Sequence, residues 1–355
     1  MTRLGLLSFL SASAVTLALV VRPAHPTVPN AKPAPKTAKA GAVGSPKTAL
    51  APPTVAPKSA AANPLIAEIA ITAPWGSGKG ELGHEVPSEA MPEAPMSLAV
   101  DGAGNVWVLD QVNTRVVIFD GNGTVQRTIP IANRIAQDLA PIAGGVAILD
   151  RLVDKAIVFL DDTGHETHRV ALAGPGVDEP SGVTGLFVYQ DPADPLAGTW
   201  VEYEHRGLVR VALPDRTPDA ARLRLDGRRV PNSTRLLRAA RDPAGFALVS
   251  ALGPNGFLAR VPTPQPILQL EGLFGDRKGR TWVAAHTYEE SAKHALVDQR
   301  VTVVALDPTG AEIGRADLPP PEVAGDQLVP TTVGADDCFY QLHVGKTGAT
   351  IWRVR

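Results

Sequence analysis

The stretch that decides the fold is MSLAVDGAGNVWVLDQVNTRVVIFDGNGTVQRTIPI, residues 96–131. It contains four short runs rich in β-branched and other apolar residues, at Ser97–Asp101, Val106–Asp110, Arg115–Asp120 and Thr124–Ile131. Segments containing Gly and Asn separate the first run from the second and the third from the fourth, as tight chain reversals require. The stretch therefore predicts one four-stranded antiparallel meander.

The same pattern recurs, less perfectly, along the rest of the chain. The copies are DLAPIAGGVAILD with KAIVFLDDTGHETHRVAL; VTGLFVYQ, TWVEYE, LVRVALPD and ARLRLD; LRAARDPAGFALVS with GFLARVP and PILQL; LFGDRKGRTWVAAH with VTVVALDPTGAEIGRADL; and TTVGADDCFYQLHV with TGATIWRVR. Their spacing of roughly 35 to 57 residues is typical of the blades of a propeller that carries loop insertions. We expect an all-β, six-bladed β-propeller, and seven blades if a loop contains another copy.

The last copy ends at the C-terminus one strand short. An unassigned apolar strand, Leu65–Ile71, precedes the first copy. Pairing it with Thr350–Arg355 would complete the sixth blade and remove a free sheet edge. We therefore predict that this N-terminal strand closes the ring.

The N-terminus is predicted to be a separate export region. Leu4–Val21 is an almost unbroken apolar run behind Arg3, long enough for a signal peptide or a signal anchor. Residues 22–62 are rich in Pro, Ala and Lys and have little to bury, so they predict a disordered tether. The domains we expect are thus residues 1–21, 22–62 and 63–355, with a secreted or periplasmic location or an inner-membrane anchor.

Charge and cysteine content exclude some function classes. Residues 1–62 contain seven basic and no acidic residues, so a net charge of −2 for the whole chain leaves −9 for residues 63–355. A negatively charged folded part is unsuited to nucleic acid, whose binding depends on clustered Lys and Arg. The single cysteine, Cys338, cannot form an internal disulfide.

The first copy resembles an NHL repeat. The matching features are the glycine-rich lead-in Gly76–Gly83, Pro95, the turn Asp101–Asn105, Asp110, and the run Asn113–Arg115 before the third strand. The resemblance implies a propeller fold for residues 63–355. It also implies that Asp110, Asn113 and Arg115 are structural repeat residues that tie neighbouring strands together.

The longest loop on the expected ligand face gives the best metal candidate. Within residues 286–300, His286, Glu290 and His294 are spaced four apart, so a short helix would bring them to one side. Imidazole and carboxylate together suit zinc or another divalent cation. The competing interpretation is a solvated loop with no metal, and the sequence implies no other cofactor.

Other candidate residues are scattered. His84, His205 and His343 are predicted to lie on this same face, and His165 and His168 on the opposite one. Lactonase-type propellers need carboxylates in the channel, and Asp110 and Asp150 occupy equivalent positions in two copies. Ser250, Ala285 and Leu342 take that position in three others.

No Gly-x-Ser-x-Gly elbow, phosphate loop or dinucleotide fingerprint is present in the sequence. We therefore expect a non-catalytic exported binding module whose partner is a protein or an envelope component. It would work through one face of the propeller and touch a membrane only through its N-terminus. The alternative is a divalent-metal-dependent lyase or hydrolase of NHL-like or lactonase type.

Overall fold

The computed structural model of the chain describes residues 63–132, 135–261, 263, 265, 267–292, 295–323 and 327–355. Within them the chain forms six antiparallel blades around a central channel. The prediction of a six-bladed β-propeller is confirmed. The expected apolar segment 1–21 and tether 22–62 lie outside the described residues.

The strands are numbered β1 to β25 in chain order. Blade 1 contains β3 (Ser97–Val100), β4 (Val106–Asp110), β5 (Arg115–Phe119) and β6 (Val125–Pro130). Blade 2 contains β7 (Asp138–Ile142), β8 (Gly145–Asp150), β9 (Ala156–Asp161) and β10 (Glu166–Ala171). Blade 3 contains β11 (Val183–Tyr189), β12 (Gly198–Tyr203), β13 (Gly207–Ala212) and β14 (Arg224–Leu225).

Blade 4 contains β15 (Arg228–Arg229), β16 (Leu236–Arg241), β17 (Ala247–Leu252) and β18 (Phe257–Val261). Blade 5 contains β19 (Ile267–Gly275), β20 (Thr281–Glu290), β21 (Leu296–Leu306) and β22 (Glu312–Leu318). Blade 6 contains β23 (Thr331–Val333), β24 (Phe339–Val344), β25 (Gly348–Val354) and, as its outer strand, β2 (Ala67–Pro74).

The strand order gives the propeller two different faces. The first strand of each blade is innermost, and inner strands contact one another between blades 1 and 2, 2 and 3, 4 and 5, 5 and 6, and 6 and 1. We call the side at which second strands end, and at which the chain crosses to the next blade, the top face. The turns between first and second strands, and between third and fourth strands, lie on the opposite, bottom face.

Ring closure follows the prediction and extends it. Strand β2 pairs with β25 in antiparallel register, with Ile71 opposite Ile351 and Pro74 opposite Gly348. The backbones of Ile66 and Arg355 also exchange two hydrogen bonds of 3.0 Å. A two-residue strand that the sequence did not predict, β1 (Asn63–Pro64), pairs in parallel with β22 of blade 5. The N-terminal segment therefore joins the outer edges of two blades.

Apolar clusters hold most blades together. Five large clusters of buried side chains lie between blades 1 and 2, 2 and 3, 4 and 5, 5 and 6, and 6 and 1. None of these five lies between blades 3 and 4. Two ion pairs cross that interface in the described chain, Glu202 with Arg228 and Asp194 with Arg229. We call this interface the ionic seam.

Blade 4 corrects the predicted strand assignment. The run LRAARDPAGFALVS forms the second and third strands, β16 and β17, because the two-residue β15 is the inner strand. PILQL is not the last strand of this blade; its described residues 267–270 begin β19, the inner strand of blade 5. Ser250 therefore lies in a third strand and is not equivalent to Asp110.

Helices are short in the described part of the chain. They are the 3-10 turns Gln111–Asn113 and Pro180–Gly182, and neither could cross a bilayer.

Candidate functional site

A cavity of about 440 Å3 opens at the top of the channel, beside blades 3, 4 and 5 and the segment Gln327–Pro330. We call it the mouth pocket. Its charged and polar lining side chains include Thr184, Glu202, His205, Arg228, Gln269 and Glu271. Three blades contribute these groups, so the pocket exists only in the assembled ring.

Glu202 and Arg228 pair across the ionic seam at the floor of this pocket. Glu202 is 3% exposed and accepts hydrogen bonds from Arg228 Nε at 2.6 Å and Nη2 at 2.8 Å. The Thr184 hydroxyl donates to the same carboxylate at 2.9 Å, and His205 Nδ1 lies 3.1 Å from it. Burial opposes ionisation, but Arg228 and these bonds hold the pKa of Glu202 well below its usual range. Glu202 therefore remains charged and fully engaged within the protein.

Arg228 is fixed on both sides by aromatic rings. Its guanidinium carbon lies 5.6 Å from the ring centroid of Phe187 and 5.2 Å from that of Phe274. Nη1 donates to the carbonyl of Leu273 at 3.0 Å. Burial disfavours the charged guanidinium, yet the Glu202 carboxylate raises the pKa of Arg228 above its ordinary value. This cation packs between rings from blades 3 and 5 and is a structural element of the channel mouth.

Glu271 differs from Glu202 although both line the same pocket. Its side chain is 10% exposed, and one oxygen, Oε1, accepts from Gln269 Nε2 at 2.7 Å. The same oxygen lies 3.6 Å from His286 Nδ1. Among the described residues no Lys or Arg pairs with Glu271, and Oε2 accepts no hydrogen bond. Because Glu271 lines the pocket, a ligand there could donate a hydrogen bond to this carboxylate.

Asp138 is a second buried carboxylate, placed at the start of the inner strand of blade 2. It is 2% exposed and lines a channel cavity of about 200 Å3 below the mouth pocket. Its two oxygens accept backbone N–H bonds from Leu139 and Leu186, each at 2.8 Å. Burial outweighs these bonds and raises the pKa of Asp138 to about 7. Part of the Asp138 population is therefore neutral at physiological pH.

A second cavity, of about 550 Å3, lies on the top face of blades 1 and 2. Its apolar lining includes Met91, Met96, Ile135 and Leu152. We call it the rim groove. It shares two lining residues, Gln327 and Leu328, with the mouth pocket. The two cavities therefore form neighbouring parts of one surface.

Exposed apolar side chains surround the rim groove. On the top-face loops of blades 1 and 2, Val86 is 68% exposed, Met91 59%, Leu152 48% and Val153 59%. Ile135, on the crossing into blade 2, is 44% exposed. Met91, Ile135 and Leu152 line the groove itself, and exposed apolar surface beside a groove is typical of interaction sites.

The predicted repeat residues form one buried network. Asp110 is fully buried; it accepts from Asn113 Nδ2 at 2.9 Å and from Arg115 Nε at 2.8 Å. Gly83 N–H also donates to it at 2.8 Å. Arg115 then donates to backbone carbonyls of the lead-in, including that of Glu81 at 2.8 Å. These contacts fasten the lead-in to blade 1 and leave Asp110 no face toward a ligand.

Asp150 is engaged in a similar way. It is fully buried and accepts backbone N–H bonds from Leu152, Val153 and Asp154 at 2.9–3.1 Å. The pair of carboxylates that a lactonase-type channel would need is therefore occupied by the protein itself.

The predicted helix carrying His286 and Glu290 is not present. Both residues lie on β20, which pairs with β21 in a long hairpin, because the chain around them continues the ladder through Thr287 opposite Arg300 and Glu290 opposite Leu296. His286 is 9% exposed and its Nε2 has no hydrogen-bond partner. His294 lies outside the described residues, so the three-residue metal site stays a prediction. Within the residues described, no group of three or more His, Cys, Asp and Glu could hold a metal ion.

The remaining histidines do not converge on one point. The top-face members have different neighbours: His84 stacks on Trp75, His205 contacts Glu202, and His343 contacts Thr350 and Pro320. On the opposite face, His165 contacts Asp161 and Thr163, and His168 contacts Phe159.

Sequence reasoning did not find Glu202, Arg228 or Glu271. Each comes from a different blade, and no local motif links residues 26 or more positions apart. The one available signal was His205, whose predicted top-face position is where Glu202 and Arg228 meet.

Comparisons with known proteins identify no family for this chain. No family model matches the sequence, and no curated protein matches it. Among solved structures, a member of the DUF4221 family from Bacteroides vulgatus is 8% identical, with a TM-score of 0.48 over 82% of this chain and 97% of that one. A putative oxidoreductase (glucose dehydrogenase) from Thermus thermophilus is 14% identical, with a TM-score of 0.47 over 82% of this chain and 100% of that one.

Virginiamycin B lyase from Staphylococcus aureus is 10% identical, with a TM-score of 0.37 over 73% of this chain and 94% of that one. At these identities and TM-scores no property of this chain follows from the likeness.

Proposed function

We propose that this chain is a non-catalytic, exported binding module that captures a protein or envelope component through its top face. The observation that carries the proposal is the rim groove with its surrounding exposed apolar side chains, all on the top-face loops of blades 1 and 2. A partner that covers this apolar surface removes it from water, which favours binding. Export is supported by the apolar run Leu4–Val21, and N-terminal sequencing of the mature protein from fractionated cells tests it.

The repeat network supports an NHL-like origin for this propeller. Asp110, Asn113 and Arg115 contact one another and the glycine-rich lead-in, as expected for strand-tying residues of that repeat. These residues contribute a scaffold, and the binding function belongs to the loops that the scaffold holds.

Site-specific photo-cross-linking tests the proposed function. A photoreactive residue at Leu152 should capture a discrete partner in the native envelope, whereas the same residue at Ile313, 38% exposed on the outer strand of blade 5, should not. The added substitution Met91→Asp should abolish capture, because it charges the groove without touching the core. Capture of the same partner from position 313, or capture insensitive to Met91→Asp, would contradict a top-face binder.

One observation favours the alternative of a metal-dependent lyase or hydrolase. Both carboxylates of the mouth pocket contact an imidazole, Glu202 that of His205 at 3.1 Å and Glu271 that of His286, outside the pocket lining, at 3.6 Å. Elemental analysis separates the two functions. About one equivalent of a divalent metal that survives dialysis, and is lost in His286→Ala, would establish the alternative and overturn the binding module.

A further inference from the structure

Two carboxylates line the mouth pocket, and only one is satisfied by the protein. Glu202 has Arg228, Thr184 and His205 as partners, with both oxygens engaged. The side chain of Glu271 is 10% exposed, and its Oε1 contacts Gln269 and His286. Its Oε2 accepts no hydrogen bond from the described residues. Since Arg228 neutralises Glu202, Glu271 leaves the pocket with an uncompensated negative charge.

We propose that Glu271 is the counter-ion for the ammonium or guanidinium group of a basic peptide segment, which enters the mouth pocket while a neighbouring apolar side chain occupies the rim groove. This inference rests on the proposed function and names the chemistry of its partner. A cation near Glu271 would supply the charge-assisted hydrogen bond that Oε2 lacks. An acidic ligand would face two carboxylates and, among the described lining residues, one Arg that is already paired, Arg228.

The arrangement of the two cavities favours a peptide. They share Gln327 and Leu328, so one extended ligand can reach both. The lining of the rim groove is mainly apolar and includes one acidic residue, Glu93, and one basic residue, Arg151. The groove therefore favours a large apolar side chain, and Glu271 in the neighbouring pocket favours a basic one.

Peptides of defined composition test the inference on the full-length chain. The probes are fluorescein-labelled peptides in which one leucine and one lysine are separated by increasing numbers of glycine and serine residues, with binding read by fluorescence anisotropy. We expect affinity to peak at one spacing. Replacing the lysine by norleucine, which keeps its length and removes its charge, should weaken binding about tenfold to a hundredfold.

Variants assign that loss to Glu271. Glu271→Gln keeps the shape of the side chain, and it should make the lysine and norleucine peptides bind equally. Leu152→Ser should weaken both peptides, and Ile313→Ser, the matched surface control, neither. Should Glu271→Gln fail to fold, the lysine and norleucine peptides compared on the unmodified protein still decide whether charge matters.

The outcomes separate this inference from the proposed function. Equal binding of lysine and norleucine peptides to the unmodified protein, with both lost in Leu152→Ser, would overturn the counter-ion role and leave the top-face binder intact. If neither Leu152→Ser nor Glu271→Gln changes peptide binding, and the cross-links fall outside the top face, both the counter-ion role and the proposed function are wrong. Intramolecular carbodiimide cross-links from lysines of residues 22–62 to Glu271 would assign the pocket to this chain's own basic segment and overturn an external partner.

Discussion

The two faces of this propeller satisfy their carboxylates in different ways. On the bottom face, turns of the form Asp-x-x-Gly close upon themselves: Asp101, Asp120, Asp161, Asp276 and Asp307 each accept the backbone N–H groups two and four residues later. The glycine at the fourth position has φ of 78–88°, which favours that residue. These turns are complete within five residues.

On the top face, Asp150 and Asp242 also accept backbone N–H groups from residues close by in the chain, but three other carboxylates differ. Asp110 binds the lead-in 27 residues upstream, Glu202 binds Arg228 in the next blade, and Glu271 pairs with no Lys or Arg of the described residues. Exposed apolar side chains gather there as well. The contrast indicates that the bottom turns contribute to folding. The top loops expose apolar side chains and a carboxylate that a partner could contact.

Both faces depend on ring closure, so opening the ring should have the largest effect. Deleting residues 1–72 removes most of β2, including Ile71, which packs with Leu342 and Ile351 in the cluster between blades 6 and 1. Burial of Ile71 alone contributes about 2 kcal/mol, and a sheet edge is exposed in addition. We expect this deletion to unfold at a much lower temperature than deletion of residues 1–62. Equal melting of the two truncations would show that β2 does not close the ring.

The ionic seam should give the next largest effect. Glu202→Gln leaves the guanidinium of Arg228 buried without its counter-ion, which costs about 3–5 kcal/mol of unfolding free energy. Glu271→Gln, in the same pocket, should change the unfolding free energy by less than about 1 kcal/mol, since no cation depends on it. Chemical denaturation of both variants measures the contrast. Similar losses in the two would remove the distinction between a structural and a ligand-binding carboxylate.

Removing a bottom-face carboxylate and removing a top-face carboxylate should lower the unfolding free energy by similar amounts, for different reasons. Asp276→Ala leaves the N–H groups of Lys278 and Arg280 and the indole N–H of Trp282 without their acceptor. Asp110→Ala releases Arg115 and the lead-in. Each should cost about 1–3 kcal/mol. Only Asp110→Ala should also weaken peptide binding, because the lead-in continues into the rim groove; weaker binding in Asp276→Ala with an unchanged melting temperature would reverse the assignment of the faces.

The last effect concerns pH and Asp138. Its pKa is about 7 in the folded protein against roughly 3.9 when unfolded, so the folded state binds more protons between these values. Asp138 therefore lowers stability progressively as pH rises from about 4 to 7. We expect the melting temperature of Asp138→Asn minus that of the unmodified protein to increase as pH rises through that window. Taking the difference between the two proteins cancels other groups, such as His343, whose pKa burial lowers. A difference independent of pH would show that Asp138 is ionised throughout.

The sequence predicted the fold because the repeat is local. Turn chemistry such as Asp101 to Asn105 is complete within one segment, and it marks each blade wherever the copy is well preserved. The same logic misled in blade 4. Asp242–Phe246 has the bottom-turn pattern, with Gly245 at φ 87°, but it joins β16 to β17 on the top face. A two-residue inner strand, Arg228–Arg229, leaves too little pattern to show the shift.

The candidate site could not be predicted in the same way. Glu202, Arg228 and Glu271 belong to three blades, and their proximity follows from the ring and not from spacing in the sequence. The predicted helix with His286 and Glu290 was based on local spacing alone. In the structure both residues lie in the long β20–β21 hairpin. His205 was assigned to the correct face because that inference depended only on strand order.

Hydrogen exchange with the tightest-binding lysine–leucine peptide bound tests the top-face account most directly. Protection should concentrate on the lead-in crossing around Met91, on Leu152–Val153, and on β19 at Glu271. The bottom turns Gly121–Gly123 and Asp307–Gly310 should exchange as in the free protein. Protection confined to those bottom turns, with the top loops unchanged, would contradict the account.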